Sequence, residues 1–360
     1  VHATDIGFKL TDSEVLIKNC GAARTKYAGF DLDNSKVSVE GGIQAYRIYD
    51  KNATATRTPA DTAASGVGID CRNSTLYFDD TTAGQGRFPI GVRLKNSAML
   101  GGKQRRNSSS VVNCSTTADV DTTLIKSMCN RVGYELHNSE LSFAGRLQSH
   151  FNETGVRASN SSLKLTQFNV SYNEAYGFHL INSNLVYGWN TSLLSGAKAG
   201  SCTLESNNGF LYACSMNGVN LLVEKSSSVS PDGDKNLHFL HGRWSGVTES
   251  YTTNHGGSRH ATTYSRPGLI VRNNSYAEMV NYKHASDINA PHPGTLVQDN
   301  SKISFRGVGS AATNGAWTSL TLGKAQGSNT IDWNVAQLAN SWRSPGVLAE
   351  NNSIVEFTGP

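Results

Sequence analysis

The sequence is poor in charge, in proline and in long apolar segments. Charged residues make up 17% of the 360 residues and proline occupies 8 positions, whereas an average soluble domain has about 25% charged residues. No run of 18 apolar residues occurs, so no membrane span is predicted. The net charge of +4 is small, and the one tight basic cluster, Lys103, Arg105 and Arg106, is better explained as a solvated loop than as a nucleic-acid site.

Cysteine is also scarce, and its spacing excludes the common cysteine-based sites. The six residues form no CxxC pair and no zinc-type pattern; they are Cys20, Cys71, Cys114, Cys129, Cys202 and Cys214. We interpret them as small buried hydrophobic residues, which suit folding in a reducing cytoplasm. We therefore predict no metal site and no cofactor. No secretory signal peptide is recognisable at Val1 either.

What the sequence contains instead is one short pattern repeated at nearly constant intervals. Its cleanest copies cover residues 29–39 and 133–143. Serine anchors this pattern: Ser139, Ser161 and Ser183 follow one another at 22 residues. A fixed period in the twenties, without a helical pattern, predicts a solenoid in which each repeat forms one coil.

Within each copy, apolar and polar residues alternate. Counted from the glycine that begins the repeat, positions +1 and +3 are apolar and +2 is polar, as in Phe30, Asp31 and Leu32. Apolar residues resume at +8, as in Val37. This alternation predicts strands whose +1, +3 and +8 side chains face a core while +2 faces solvent. The +2 residues of seven copies alternate in sign and form no acidic patch: Lys9, Asp31, Asp70, Arg93, Glu135, Arg157 and His179. We also expect no outward apolar column long enough to form an interface.

The residue before the serine predicts a sharp corner. Six of the seven copies have asparagine there and the seventh has Asp12; the asparagines are Asn34, Asn73, Asn96, Asn138, Asn160 and Asn182. Asparagine tolerates the left-handed backbone conformation that a tight bend needs. Stacked coils would align these amides so that they bond along a column. Later copies, such as that from Gly268 to Ser275, contain one additional residue at this corner.

A third segment completes each coil. Asn130, Asn152 and Asn173 mark a further bend shortly before the next repeat. Three short strands and three bends in 22 residues predict an all-β protein, a right-handed parallel β-helix of about 16 coils. The repeat resembles that of pectin-active lyases, bacteriophage tailspikes and virion fibre proteins over about residues 5–357. The resemblance implies the fold only, because no catalytic motif of those proteins maps onto this sequence.

The chain is predicted to be a single β-helix domain over residues 1–360 that belongs to a longer rod. The spacing between serine anchors increases in places, for example to 39 residues between Ser35 and Ser74 and to 52 between Ser301 and Ser353. About two coils fit each such gap. We therefore expect degenerate coils together with long loops at about 40–66, 101–132, 231–267 and 307–345.

Binding residues are expected in these loops, because loops on a rigid scaffold usually carry function. The segment 231–267 is rich in histidine and aromatic residues that suit a sugar surface: His238, His241, Arg243, Trp244, Tyr251, His255, His260 and Tyr264. Packing and solvated surface would explain the same cluster. Asp232 and Asp234 are the candidate catalytic acids of a glycan-cleaving enzyme, although a turn already explains acids there.

These features favour a structural component of a bacteriophage tail, a fibre, spike or baseplate appendage. The rod would act as a stiff spacer and its loops would contact host surface polysaccharide. Neither end of the sequence has a capping helix, so we expect a homotrimer or other virion proteins to cover the ends. The protein would be made in the host cytoplasm and reside in the virion. A polysaccharide lyase or glycoside hydrolase and a secreted adhesin are the alternatives.

Overall fold

The computed structural model describes most of the repeats and little of the segments between them. It covers residues 4–46, 66–86, 88–102, 124–128, 130–171, 173–188, 212–213, 217–232, 240–243, 251–252, 258–259, 267–280, 283–285, 295–306 and 347–358. Within these residues the secondary structure is β-strand without helix. Accordingly, this part of the chain contains no helix that is long and apolar enough to cross a membrane.

Two large sheets of parallel strands form the body of the protein. The first sheet has 11 strands in chain order: β1 (Ile6–Thr11), β3 (Ala28–Asp33), β5 (Val67–Arg72), β7 (Ile90–Lys95), β10 (Val132–His137), β12 (Thr154–Ser159), β14 (Tyr176–Ile181), β17 (Val219–Glu224), β22 (Leu269–Arg272), β25 (Thr295–Val297) and β27 (Val347–Ala349). Each strand pairs in parallel with that of the next coil.

The second sheet contains 15 strands: β2 (Glu14–Ala23), β4 (Lys36–Tyr46), β6 (Thr75–Gly86), β8 (Ala98–Gly101), β9 (Leu124–Met128), β11 (Glu140–His150), β13 (Ser162–Ser171), β15 (Asn184–Tyr187), β16 (Tyr212–Ala213), β18 (Ser228–Pro231), β19 (Leu240–Arg243), β23 (Tyr276–Val280), β24 (Lys283–Ala285), β26 (Lys302–Arg306) and β28 (Ile354–Thr358). A separate antiparallel pair is formed by β20 (Tyr251–Thr252) and β21 (Ser258–Arg259). The predicted all-β parallel β-helix is confirmed, and its right-handed winding stays a prediction that crossover statistics favour.

The third strand predicted for each coil belongs to the second sheet. In β2 and β4 the second and third segments are one continuous strand whose register shifts between Lys18 and Cys20. Asn19 adopts a φ of +48°, and its side-chain oxygen accepts a hydrogen bond from the Gly42 N–H at 2.9 Å. The bend between the second and third segments is therefore a β-bulge at Asn19, a residue that the sequence analysis did not single out; it turns the strand and leaves the hydrogen-bonded ladder intact on both sides.

The side chains at positions +1, +3 and +8 face the core, as the alternation of apolar and polar residues predicts. Phe30 and Leu32 of β3, and Tyr134 and Leu136 of β10, are each at most 1% exposed and belong to one continuous core. The +8 residue Val37 is fully buried in the same core. Cys71 occupies the inward slot and is buried as a free thiol, which confirms its interpretation as a small hydrophobic residue.

The corner residues adopt the left-handed conformation that the sequence predicts. Asp12 and the six corner asparagines have φ between +47° and +50°. The additional residue of the later copies is accommodated by two consecutive left-handed residues, as at Asn273 and Asn274. The amides bond along the column in part, for example from Asn34 Nδ2 to Asp12 Oδ1 at 2.6 Å.

The serine after each corner links every coil to the next. The backbone N–H of each serine donates to the hydroxyl of the serine one coil further on, at 3.0 to 3.2 Å. The row runs through Ser13, Ser35, Ser74, Ser97, Ser139, Ser161, Ser183, Ser227, Ser275, Ser301 and Ser353. Most of these hydroxyls in turn donate to the carbonyl two residues earlier, as Ser139 Oγ does to His137 O at 2.6 Å.

The serine row corrects the prediction of additional coils in the gaps. Ser35 and Ser74 bond directly although they are 39 residues apart, and so do Ser301 and Ser353. No coil can lie between them at this corner. The described residues therefore form 11 coils along this row instead of the predicted number of about 16 for the whole chain.

A second amide row lies inside the rod at the opposite bend. The backbone N–H of Asn130, Asn152 and Asn173 donates to the side-chain oxygen of Asn152, Asn173 and Asn217, respectively, at 2.9 to 3.1 Å. These asparagines are at most 2% exposed, so the row satisfies backbone groups that water cannot reach. The neighbouring Gly133 is confined too, because a Cβ there would lie 2.5 Å from Gly155 O.

A charge in the inward column should destabilise the rod strongly. Leu136 is 1% exposed, and Leu136→Asp would bury an ion without a partner. We expect a loss of more than about 4 kcal/mol in the free energy of unfolding, measured by thermal or urea denaturation. Arg157→Asp is the matched control, because it places the same side chain in the exposed outward slot. An unchanged melting temperature for Leu136→Asp would contradict the column assignment.

Removal of one hydroxyl from the serine row should also be measurable. Ser139→Ala would leave the buried Ser97 N–H without its acceptor and His137 O without its donor. An unpaired buried group costs about 1–3 kcal/mol, and urea denaturation would measure this loss. Ser162→Ala, on a half-buried serine one strand away, should have a smaller effect. Equal stabilities of both variants would show that the row contributes nothing.

Candidate functional site

The structure describes only part of the loop cluster that the sequence singles out. His241 and Arg243 lie in β19, whose backbone pairs with β16 and β24. Tyr251 lies in β20, within the antiparallel pair. Asp232 directly follows β18, and its N–H donates to Tyr187 O at 2.8 Å. Six further predicted residues lie outside the described residues: Asp234, His238, Trp244, His255, His260 and Tyr264.

The outward face of the first sheet is less exposed than its polar residues predict. Asp31 and Asp70 are only 8% and 4% exposed, which corrects the prediction that they face solvent freely. Arg72 donates to Asp31 at 2.6 Å and to Asp70 at 3.2 Å, and Arg93 Nε donates to Asp70 at 2.9 Å. The parallel register aligns Asp31, Asp70 and Arg93 on successive coils, so the long arginine side chains cover the carboxylates. Hydrogen bonding to Asp70 raises the pKa of Arg93.

A second charged cluster lies further along the same face. Glu224 accepts hydrogen bonds from His179 Nε2 at 2.9 Å and Arg272 Nε at 2.8 Å. Burial lowers the pKa of His179 below 6.5, although Glu224 partly opposes this effect. Burial alone would raise the pKa of Glu224, but the bonds from His179 and Arg272 hold it below 4.5. The cluster is therefore held with Glu224 ionised and His179 neutral near pH 7.

Beyond this cluster the outward column becomes apolar. Leu222, Ile270, Leu296 and Leu348 occupy the +2 slot of four successive coils. Leu222 is buried and the other three are half-buried. An outward apolar column of four residues therefore exists in this part of the rod, and the expectation that no such column is long enough to form an interface stays a prediction. Reading the later copies with their additional corner residue would have identified these positions from the sequence.

A shallow, open polar groove follows the corner column over five coils. It has a volume of about 650 Å³ and is lined by the corner asparagines, the serine row and the first residue of each strand that follows. The corner asparagines concerned are Asn73, Asn96, Asn138, Asn160 and Asn182. The groove is about 19 Å long at the 4.8 Å spacing of parallel strands. The sequence identified these asparagines as turn residues but did not show that they line a common surface.

The described residues contain no group of three or more histidine, cysteine, aspartate or glutamate side chains arranged to hold a metal ion. Comparison with known proteins places the chain in no family: no protein-family model, no curated protein and no solved structure matches it. The features that bear on function are therefore the stacked fold, the outward apolar column and the corner groove.

The Glu224 cluster predicts that the protein loses stability as the pH falls. Both His179 and Glu224 have folded-state pKa values below their ordinary ones, so the unfolded chain binds these protons first. The free energy of unfolding should decrease below pH 6.5, the ordinary pKa of histidine, and decrease further through pH 4.5. Urea denaturation between pH 7 and pH 4 measures this change.

The matched comparison uses His179→Gln, which keeps a donor but cannot titrate. This variant should lose less stability than the wild type between pH 6.5 and pH 5. Lys164→Gln, on a lysine of the second sheet, should follow the wild-type profile. Identical profiles for His179→Gln and the wild type would contradict the assignment.

Proposed function

We propose that this protein is a structural component of a bacteriophage tail, a fibre, spike or baseplate appendage. Its β-helix acts as a stiff spacer, and its outer surface contacts host surface polysaccharide. The observation that carries the spacer function is the unbroken serine row, which links eleven successive coils by direct hydrogen bonds.

The mechanical basis is that each coil is bonded to the next in three places. Both sheets contribute parallel ladders, and the corner contributes the serine row. Inside the rod, stacked rings such as Phe8 and Phe30, with centroids 4.8 Å apart, fill the core between coils. Bending such a rod would break several of these contacts at once, so an axial load is transmitted along about 48 Å of stacked strands.

The partners that we propose are further copies of the chain in a trimer, or other virion proteins. In the outward apolar column, Leu222 is buried, and the half-buried side chains of Ile270, Leu296 and Leu348 are the ones that such a partner could contact. Exposed apolar patches are common at protein interfaces. The protein is made in the host cytoplasm and becomes part of the virion, with no nucleic acid as partner.

A glycan-cleaving enzyme is the second candidate, and Asp232 is the observation that favours it. Asp232 follows β18, whose neighbour β23 carries Glu278 on its outward side. Glu278 is 4% exposed, and Arg306 Nε lies 3.1 Å from its carboxylate. Glycoside hydrolysis requires two carboxylates about 5 to 9.5 Å apart, and Asp232 and Glu278 supply two carboxylates on successive coils. The firm ion pair of Glu278 is equally suited to a purely structural role. A secreted adhesin is a third candidate that shares the binding function.

Light scattering on the purified chain tests the spacer function. We expect a stable assembly with a mass near three times the 38.6 kDa of one chain, as the proposed trimer requires. A stable and soluble monomer at micromolar concentration would count against the virion assignment. Negative-stain microscopy of the same sample should show rods.

An activity assay separates the spacer from the enzyme. The protein is incubated with bacterial capsule or lipopolysaccharide, and reducing ends and unsaturated uronic acids are followed. We expect binding without turnover. Turnover that Asp232→Asn abolishes and Ser228→Ala preserves would replace the proposed function with that of a depolymerase.

A further inference from the structure

The corner groove presents polar side chains at a regular spacing along the rod. Its lining repeats once per coil: an exposed asparagine, a buried serine and the first residue of the second-sheet strand. The repeat distance is the strand spacing of about 4.8 Å, which is close to the length of one pyranose ring in an extended polysaccharide. A polymer that lies along the rod would therefore meet the same kind of contact at each sugar.

The asparagine side chains keep bonding capacity for a ligand. A side-chain amide has two N–H donors and an oxygen with two lone pairs. Within the column, Asn96 donates to Asn73 and Asn138 donates to Asn96, each at 3.3 Å. Asn96 therefore uses one donor and one lone pair, Asn73 uses one lone pair and Asn138 uses one donor. All three side chains are exposed and line the groove.

The column of amides is interrupted at the middle of the groove. Asn182 donates to Asn160 at 2.8 Å and Asn138 donates to Asn96, but among the described residues no hydrogen bond joins Asn138 to Asn160. The acceptor oxygen of Asn138 and the N–H donors of Asn160 thus lie on adjacent coils, both exposed. A sugar hydroxyl can donate to the first and accept from the second.

The charge of the lining selects against acidic polymers. Glu140 is the one ionisable residue that lines the groove. It accepts a hydrogen bond from Ser142 Oγ at 2.6 Å, and Lys164 Nζ lies 3.7 Å from its carboxylate. This pair adds no net positive charge, so the groove has no cationic side chain in its lining to hold a uronate or a phosphate.

An exposed aromatic ring lies beside the groove. Thr75 lines it, and Tyr77 follows two residues later on the same outward side of β6. The Tyr77 side chain is 44% exposed. A tyrosine ring of this kind can stack on the apolar face of a sugar while its hydroxyl stays in water.

We propose that the corner groove between Asn73 and Asn182 binds an extended, neutral, hydroxyl-rich polysaccharide that lies parallel to the rod axis. Asn138 and Asn160 supply the central hydrogen bonds and Tyr77 supplies the stacking contact. This site rests on the proposed contact with host surface polysaccharide, and it places that contact on the coils themselves instead of on the loops.

The experiment compares neutral and acidic polysaccharides in a direct binding assay. Isothermal titration or a glycan array would use mannan, dextran and a β-glucan as neutral probes, with alginate and hyaluronan as acidic probes. We expect at least one neutral polymer to bind and the acidic polymers to bind at least tenfold more weakly. Tighter binding of the acidic polymers, or no binding of any neutral polymer, would overturn the groove assignment.

The variants are chosen so that the corner keeps its backbone. Asn138→Gly and Asn160→Gly remove the amide but retain a residue that accepts φ near +50° without strain. Together these two substitutions should raise the Kd for the neutral polymer at least tenfold, and adding Tyr77→Ala should raise that Kd further. Asn34→Gly is the matched control, because Asn34 has the same φ and a column bond but does not line the groove.

The outcomes separate the groove from the proposed function. The groove is not the site if Asn138→Gly/Asn160→Gly binds the polymer as tightly as the wild type, or if Asn34→Gly loses as much affinity as that double variant. Either result would still allow the glycan to bind elsewhere on the rod. Thermal melting of each variant checks that the coils remain folded. The spacer function is tested independently by the assembled mass of the protein.

Discussion

The hydrogen bond from one serine N–H to the serine hydroxyl of the next coil is the constraint on which the rest of the rod depends. It fixes the distance between coils at the corner, because the hydroxyl that accepts it also donates to a carbonyl of its own coil. Once the corners are aligned, the strands on both sides have a single register. Equivalent inward residues of successive coils then pack against each other, and equivalent outward residues become neighbours along the face of the sheet.

The same constraint explains how much of the fold could be predicted. Alternation at Phe30 and Leu32 identified the core, and asparagine at the corner identified the left-handed residue, because each is a local demand of the backbone. The order of coils across the gaps is not a local property. The residues between Ser301 and Ser353 would add a coil only if Ser301 bonded to a serine within that segment instead of to Ser353. The spacing between serines does not show which of them are bonded to each other.

The surfaces depended on neighbours that the spacing did not reveal. Glu224 contacts His179 and Arg272, which are 45 and 48 residues away across irregular gaps. The burial of Asp31 follows from Arg72, which lies 41 residues on and reaches back over the outward face. Residue type therefore predicted polarity at these positions but not exposure. The candidate site residues in 231–267 remain predictions for the same reason, because they were chosen by residue type and the sequence does not show which residues they contact.

A stacked fold converts a backbone requirement into a chemical surface. Asparagine occurs at the corner because the turn needs a left-handed residue, and stacking then forms a column of amides whether or not a ligand exists. The column is broken between Asn138 and Asn160 within the groove, and also between Asn34 and Asn73 at the end of the groove. The turn thus fixes where the amides lie, whereas the column bonds leave some of their donors and acceptors unused. Those unused groups are what the corner can offer to a ligand without a change in the backbone.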